Sequence, residues 1–202
     1  MEYVLIIVLS YLIGTINPAH IITKRVKQID IRDVNSKNAG TSNVAMTLGL
    51  KFAVLVGILD MLKGFLPVLI VRLLFPDNDI LWVVSGVSAI LGHVYPFHMH
   101  FKGGKGTATF GGVCFAFFPV ISLVLFILFF VILIVSDYIT VPTILGVIAI
   151  PIIMFMREFE LVSVLLIVAY GFLSVYKHWP NIVRIYKKQE VGLKEGLGKS
   201  KS

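Results

Sequence analysis

The sequence predicts an all-α polytopic membrane protein of about seven transmembrane helices, with the N-terminus outside and the C-terminus cytoplasmic. Three observations carry this. Hydrophobic residues make up 57% of the 202 and charged residues only 14%, with a mean hydropathy of +0.93. That leaves too little charge to cover a soluble globule of this size. The apolar residues fall in runs long enough to cross roughly 30 Å of hydrocarbon. Most of the 18 basic and 11 acidic residues gather between those runs and at the C-terminus. Cytosolic enzymes are thereby excluded, and a single cysteine, Cys114, rules out a disulfide framework or a zinc ribbon.

The runs are residues 3–22, 52–75, 80–96, 107–135, 141–156 and 161–176. The first follows Met1-Glu2-Tyr3, which lacks a positive leader, and is expected to stay as a span. The fourth exceeds the roughly 17–25 residues of one crossing and contains Pro119, so two shorter helices are expected there. Charge placement agrees. The 23–43 loop carries Lys24, Arg25, Lys27, Arg32 and Lys37 against Asp30 and Asp33, and belongs inside. Pro76-Asp77-Asn78-Asp79 then falls outside and Lys102 and Lys105 inside. Dividing the fourth run brings the basic tail, 177–202, inside as well, within a single domain spanning 1–202. A net charge of +7 distributed this way suits anionic lipid headgroups, and no nucleic-acid partner is expected.

Three polar segments end on that cytoplasmic face. Phe101-Lys102-Gly103-Gly104-Lys105-Gly106-Thr107 joins glycines to two ammonium groups ahead of a helix start, an anion cradle that is not a Walker A loop. Its plainer reading is a flexible, positive turn. Asn35-Ser36-Lys37-Asn38-Ala39-Gly40-Thr41-Ser42-Asn43 offers hydroxyls and amides beyond what one helix cap needs. Lys177-His178-Trp179-Pro180-Asn181-Ile182-Val183-Arg184 closes the last span, where basic groups also suit a helix dipole. Asp60 and Lys63, inside the second span and one helical turn apart, are expected to neutralise each other as structural support. The spacing of His93, His98 and His100 raises a metal question, but no cysteine or glutamate completes a set and no metal is expected. No H-x4-D, G-x-S-x-G or Ser-His-Asp spacing supports an activated serine.

Together these segments resemble the three cytoplasmic motifs of the PlsY family, the bacterial acyl-phosphate:glycerol-3-phosphate acyltransferases. The likeness covers nearly the whole chain. It is strongest at Gly92-His93, Pro96 and residues 101–106, followed by Ala108-Thr109, and continues at His178, Asn181, Arg184 and Glu190. Asp60-Met61-Leu62-Lys63-Gly64 resembles the family's D-x-x-K-G, and Gly14-Thr15-Ile16-Asn17-Pro18 its first-span turn of small residues. The first motif retains Ser36, Asn38, Gly40 and Asn43 but has Ser42 for the family threonine and Met46 for its arginine, a bidentate phosphate partner. Thr140 and Thr143 stand where the family tends to have serines.

The resemblance implies transfer of a fatty acyl group from acyl phosphate to the 1-hydroxyl of glycerol 3-phosphate, giving lysophosphatidic acid at the bacterial plasma membrane without a cofactor. An acyl phosphate is already activated, so positioning and charge stabilisation suffice. It implies Ser36, Asn43, Lys105, His178 and Asn181 as catalytic residues. Asn38, Gly40, Ser42, Lys102, Gly103, Gly104, Gly106, Thr107, Thr140 and Arg184 would bind substrate. The general base is open between His178 and a substrate phosphate oxygen. Contact with the enzyme that makes acyl phosphate is a further expectation. Two rivals are a small anion transporter and a divergent relative with another acceptor or a regulatory role.

Overall fold

The computed structural model describes residues 1–196 and 198; Lys199 and Lys201 of the basic tail lie outside the described residues. Among the described residues ten α-helices occur in order: α1 (Glu2–Thr15), α2 (Pro18–Lys27), α3 (Thr41–Leu48), α4 (Leu50–Leu74), α5 (Asp79–Val94), α6 (Thr107–Phe117), α7 (Pro119–Ser136), α8 (Thr140–Met156), α9 (Leu161–Tyr186) and the short α10 (Leu193–Gly196). Among the described residues five stretches are long and apolar enough to cross a membrane: Glu2–Lys27, Leu50–Leu74, Asp79–Met99, Pro119–Ser136 and Leu161–Tyr186. The apolar helices Thr107–Phe117 and Thr140–Met156 are shorter. The chain is an all-helical integral membrane protein.

Small residues let the helices meet backbone to backbone, as helix association in lipid favours. A Cβ on Gly14 would collide with the Ala89 carbonyl, and one on Gly92 with that of Tyr11, so α1 and α5 touch along their main chains. Ser10 and Ser85 hydroxyls pair across the same seam at 2.9 Å. Gly64 against the Thr109 carbonyl, and Gly112 against that of Met61, do the same for α4 and α6. The main core gathers Val68, Val83, Ile90, Phe110, Ile150 and Ile167. The outer face of α7, with Val120, Ile127, Val131 and Ile134, stays exposed for lipid.

Two helix breaks have identifiable causes. Pro119 has no N–H and sits at the first position of α7, so the chain bends at Phe118 as the proline predicts. The α6 carbonyls left open there are satisfied by Arg72, whose Nη1 donates to Ala116 O at 2.6 Å and to Phe117 O at 3.2 Å. Pro18 breaks the first span between α1 and α2, and Asn17 caps α2 by accepting from His20 N–H at 2.8 Å. This break frees the Ile16 carbonyl, which accepts from Lys63 Nζ at 2.6 Å.

The loops separate to two ends of the bundle. At one end Glu160 N–H donates to Asp79 Oδ2 at 2.8 Å and Phe159 packs on Trp82, Phe117 and Phe118. At the other, Asn17 reaches Ala39 O at 3.2 Å, Arg32 reaches Met99 O at 2.8 Å and Leu193 N–H reaches Asp137 O at 2.8 Å. All three polar segments lie at this second end.

Candidate active site

The 97–106 segment is a wound loop that hangs from the end of α5. Pro96 O accepts from Met99 N–H at 3.0 Å and Phe101 N–H at 3.1 Å, while His100 and Phe101 take left-handed conformations. Gly103 N–H then donates to Val94 O and Gly104 N–H to His93 O, each at 3.1 Å. This corrects the expected cradle, because those two amides are already committed. The glycines are needed for closeness instead: a Cβ at Gly103 would strike His93 O, and one at Gly104 the His93 ring. Gly106, at φ 90, is the α6 N-cap in a conformation that suits glycine. The N–H groups of Lys105, Gly106 and Thr107 have no backbone acceptor among the described residues. The cradle narrows to these and to the Lys105 ammonium.

Lys105 Nζ donates to Asn181 Oδ1 on α9. Asn181 Nδ2 in turn donates to Glu190 Oε1 at 2.6 Å, and Glu190 Oε2 accepts from Arg184 Nε at 2.5 Å. Burial pulls the Lys105 ammonium down to about 8; Glu190 opposes that pull, and Arg184 and Lys177 add to it. One turn before Asn181, His178 is 2% exposed. Its Nδ1 lies 2.9 Å from Ser174 O. A carbonyl only accepts, so Nδ1 carries the proton and the neutral ring presents Nε2 as an acceptor. Nε2 faces Thr107 Oγ1 at 3.5 Å, too long to satisfy it, and Thr107 Oγ1 faces Thr143 Oγ1 at 3.4 Å. Thr107 and Thr143 stand at one end of an apolar cavity of about 280 Å³ between α6, α7 and α8, lined by Phe110, Phe126, Phe129 and Ile132.

The structure therefore sets Lys105 on Asn181 and Thr107 beside His178, and joins Arg184 to Asn181 through Glu190, with Gly103, Gly104 and Gly106 setting the loop. Thr140 is buried at the start of α8. The first motif joins through its backbone: the Ala39 carbonyl lies against Gly104 and accepts from Asn17. Asn43 is fully buried, and its Nδ2 donates to Ile31 O at 2.7 Å, Asn38 O at 3.0 Å and Val34 O at 3.1 Å, holding the loop's shape. Gly40 is the buried N-cap of α3, Asn38 is half-buried, and Ser36, Ser42 and Lys102 are exposed. Arg32 braces this loop and holds the Asp30 carboxyl well below the usual carboxylate range through a 2.6 Å ion pair.

Behind the loop, Lys63 pairs with Asp60 at 2.9 Å, as the i, i+3 spacing predicts. Local spacing does not reveal that His93 Nδ1 joins the same carboxylate at 3.4 Å from another helix. His93 thus faces inward while His98 and His100 are exposed, so the three imidazoles are not assembled as a chelate. Among the described residues no group of three metal-ligating side chains is placed to hold an ion. Two further contacts, Arg72 on the end of α6 and Asp137 on the tail, join residues far apart in sequence and have no local signature.

A helical membrane bundle whose polar end sets an ammonium, an amide and an imidazole beside an apolar cavity has the make-up of a membrane enzyme for an anionic substrate. The comparisons with known proteins give the family. The family model described as Glycerol-3-phosphate acyltransferase matches residues 4–188, and the chain belongs to that family, the PlsY acyltransferases. It is 35% identical to the glycerol-3-phosphate acyltransferase of Aquifex aeolicus, over 94% of this chain and 98% of that one. It is 37% identical to that of Bacillus velezensis, over 96% and 99%. It is similar to the crystal structure of PlsY (YgiH), an integral membrane glycerol 3-phosphate acyltransferase, in its glycerol 3-phosphate form, with a TM-score of 0.88 and 34% identity over 95% of this chain and 96% of that one.

Proposed function

We propose that this protein transfers a fatty acyl group from acyl phosphate to the 1-hydroxyl of glycerol 3-phosphate, releasing phosphate and lysophosphatidic acid for phospholipid synthesis. The observation that carries the reading is the junction at Thr107. There the Lys105–Asn181 pair and the His178 Nε2 acceptor meet the mouth of the apolar cavity. Such a junction suits a molecule with a phosphate at one end and a hydrocarbon tail at the other. The tail lies in the cavity, out of water, and the carbonyl carbon stands at the threonines. The acceptor hydroxyl attacks that carbon, the carbon–oxygen bond to phosphate breaks, and the hydroxyl proton passes to His178 Nε2 or to the departing phosphate. Lys105 and the open N–H groups of residues 105–107 balance the phosphate charge. Ser36, Asn38 and Asn43 shape the acceptor side, with Gly40 and Ser42 setting the loop, and Lys102 meets the substrate's charge from the rim.

In the same reading seven helical segments cross the bacterial plasma membrane, the first being α1 with α2, as one domain with its N-terminus outside. The site faces the cytoplasm, where the enzyme making acyl phosphate can deliver its product. The gathering of Lys24, Arg25, Lys27, Arg32 and Lys37 at the site end supports that orientation.

The test is product formation by protein purified in detergent, with palmitoyl phosphate or palmitoyl-CoA as donor and glycerol 3-phosphate as acceptor. Lysophosphatidic acid from palmitoyl phosphate is the expected result; product from palmitoyl-CoA alone would overturn the donor. Met46 favours a second reading, a divergent member with another acceptor, because a thioether offers no charge to a phosphate. Restoring the cation with Met46→Arg separates the two. A large fall in the KM for glycerol 3-phosphate marks a displaced acceptor, and an unchanged KM marks a native one held by other groups.

A further inference from the structure

The chain does not run off into solvent after α9. Gln189 N–H turns back onto Arg184 O at 2.8 Å, Lys188 adopts φ 56, and the 187–196 strap crosses to the turn between α7 and α8. There Asp137 takes hold of it twice. Its carbonyl accepts from Leu193 N–H at 2.8 Å and its Oδ1 accepts from Lys194 N–H at 3.0 Å. Gly192 is buried at the crossing, where an added Cβ would collide with Asp137 Oδ2. Asp137 ends α7 in a left-handed conformation, at φ 65, which orients its carboxylate for this contact.

Between the end of α9 and the Asp137 anchor, the strap carries Glu190. Its two oxygens accept from Asn181 Nδ2 and Arg184 Nε. An asparagine amide has two orientations, and a carboxylate can only accept. Glu190 therefore selects the orientation that turns Asn181 Oδ1 toward Lys105. The Asp137 turn lies immediately before Thr140 and Thr143, so one contact joins the rim of the apolar cavity to the phosphate end of the site.

We propose that Asp137 and Gly192 form a latch that holds the 187–196 strap over the site, so that Glu190 fixes the Asn181 amide and Arg184 for the phosphate-bearing acceptor. Asp137 is thus a positioning residue for the reaction, acting through the strap. The inference rests on the acyltransferase reading above and adds to it two residues outside the three motifs.

The experiment is a steady-state comparison of the full-length wild type, Asp137→Ala, Asp137→Asn and Gly192→Ala, with kcat and KM measured separately from about pH 6 to about pH 10. Unlatching is expected to raise the KM for glycerol 3-phosphate about fivefold, the worth of one hydrogen bond, with kcat nearly unchanged. It also moves the alkaline limb of kcat/KM to lower pH. The groups facing Lys105 are Glu190, Arg184, Lys177 and His178, and withdrawing Glu190 leaves the lysine among cations with less to favour its charge. Asp137→Asn keeps an acceptor oxygen and tolerates the left-handed turn, so it restores wild-type values. Gly192→Ala drives a methyl into the Asp137 carboxylate and so breaks the latch from the strap side with residue 137 unsubstituted, and it reproduces the effect if Asp137→Ala fails to fold. Wild-type KM and an unmoved alkaline limb in both Asp137→Ala and Gly192→Ala, with or without a loss of thermal stability, would overturn the latch. An inactive wild type would instead sink the acyltransferase reading on which it stands.

Discussion

Lys105 and His178 differ in what they contribute, and substitutions separate them. Truncating Lys105→Ala removes the charge proposed to meet the phosphate and is expected to cost roughly a hundredfold or more in kcat/KM. Lys105→Arg recovers only part of this, because a planar guanidinium does not fit where a point charge meets one amide oxygen. His178→Ala falls mainly on kcat, by roughly a hundredfold or more if Nε2 takes the proton. If both variants retain wild-type rates while folded, this assignment fails. The lysine also sets a pH dependence. Its folded value is lowered to about 8, so the ammonium is lost as pH rises through that point. The kcat/KM for glycerol 3-phosphate is expected to fall above about pH 8, and kcat, which reports the enzyme with phosphate bound, at higher pH. Stability moves the other way: between about 8 and the ordinary lysine value the unfolded chain binds more protons, so the fold gains as pH rises.

At the scale of the element, the buried Asp60–Lys63 pair on α4 ties together the α1–α2 break through Ile16 and the 97–106 loop through His93. Removing one partner leaves an unpaired charge in a dry interior. Asp60→Asn or Lys63→Met alone should each destabilise by about 3–5 kcal/mol, and the double variant by distinctly less. Additive losses in detergent thermal denaturation would show that the two charges do not depend on each other. Gly64→Ala, one residue along, drives a methyl into the Thr109 carbonyl and should cost about 1–3 kcal/mol by forcing α4 and α6 apart. These elements were legible to different degrees. The Pro119 break and the Asp60–Lys63 pair follow from rules acting within one helix. His93 joining that carboxylate, and Arg72 capping α6, depend on which helices become neighbours.

For the whole molecule, the two ends of the bundle predict a labelling pattern. In a Cys114→Ala background, cysteines placed at Asn78 and Glu160 should react with an impermeant thiol reagent from one side of sealed vesicles. Cysteines at Lys37 and Lys188 should react only after permeabilisation, if the site end is cytoplasmic. Reaction of Lys188→Cys from the same side as Asn78→Cys would contradict the two-helix reading of residues 107–135, because the tail and the 97–106 loop share an end only if the chain turns at Phe118.

By itself the sequence determined the solvent and the helical class, and it singled out the loops from which the proposed site is built. Hydrophobic runs, proline breaks and loop charge act locally and can be counted along the chain. The 97–106 loop could be picked out because glycines and lysines concentrate there. How its glycines serve could not, since committed amides and close approach look the same in sequence as open amides do. Only the tertiary structure decided that Gly103 and Gly104 give up their N–H groups to α5, and that His178 presents Nε2. It also decided that Glu190 returns from the tail to set Asn181 and that Asp137 holds it there. Each of these depends on contacts between residues distant in sequence, and such contacts exist only once the helices have packed.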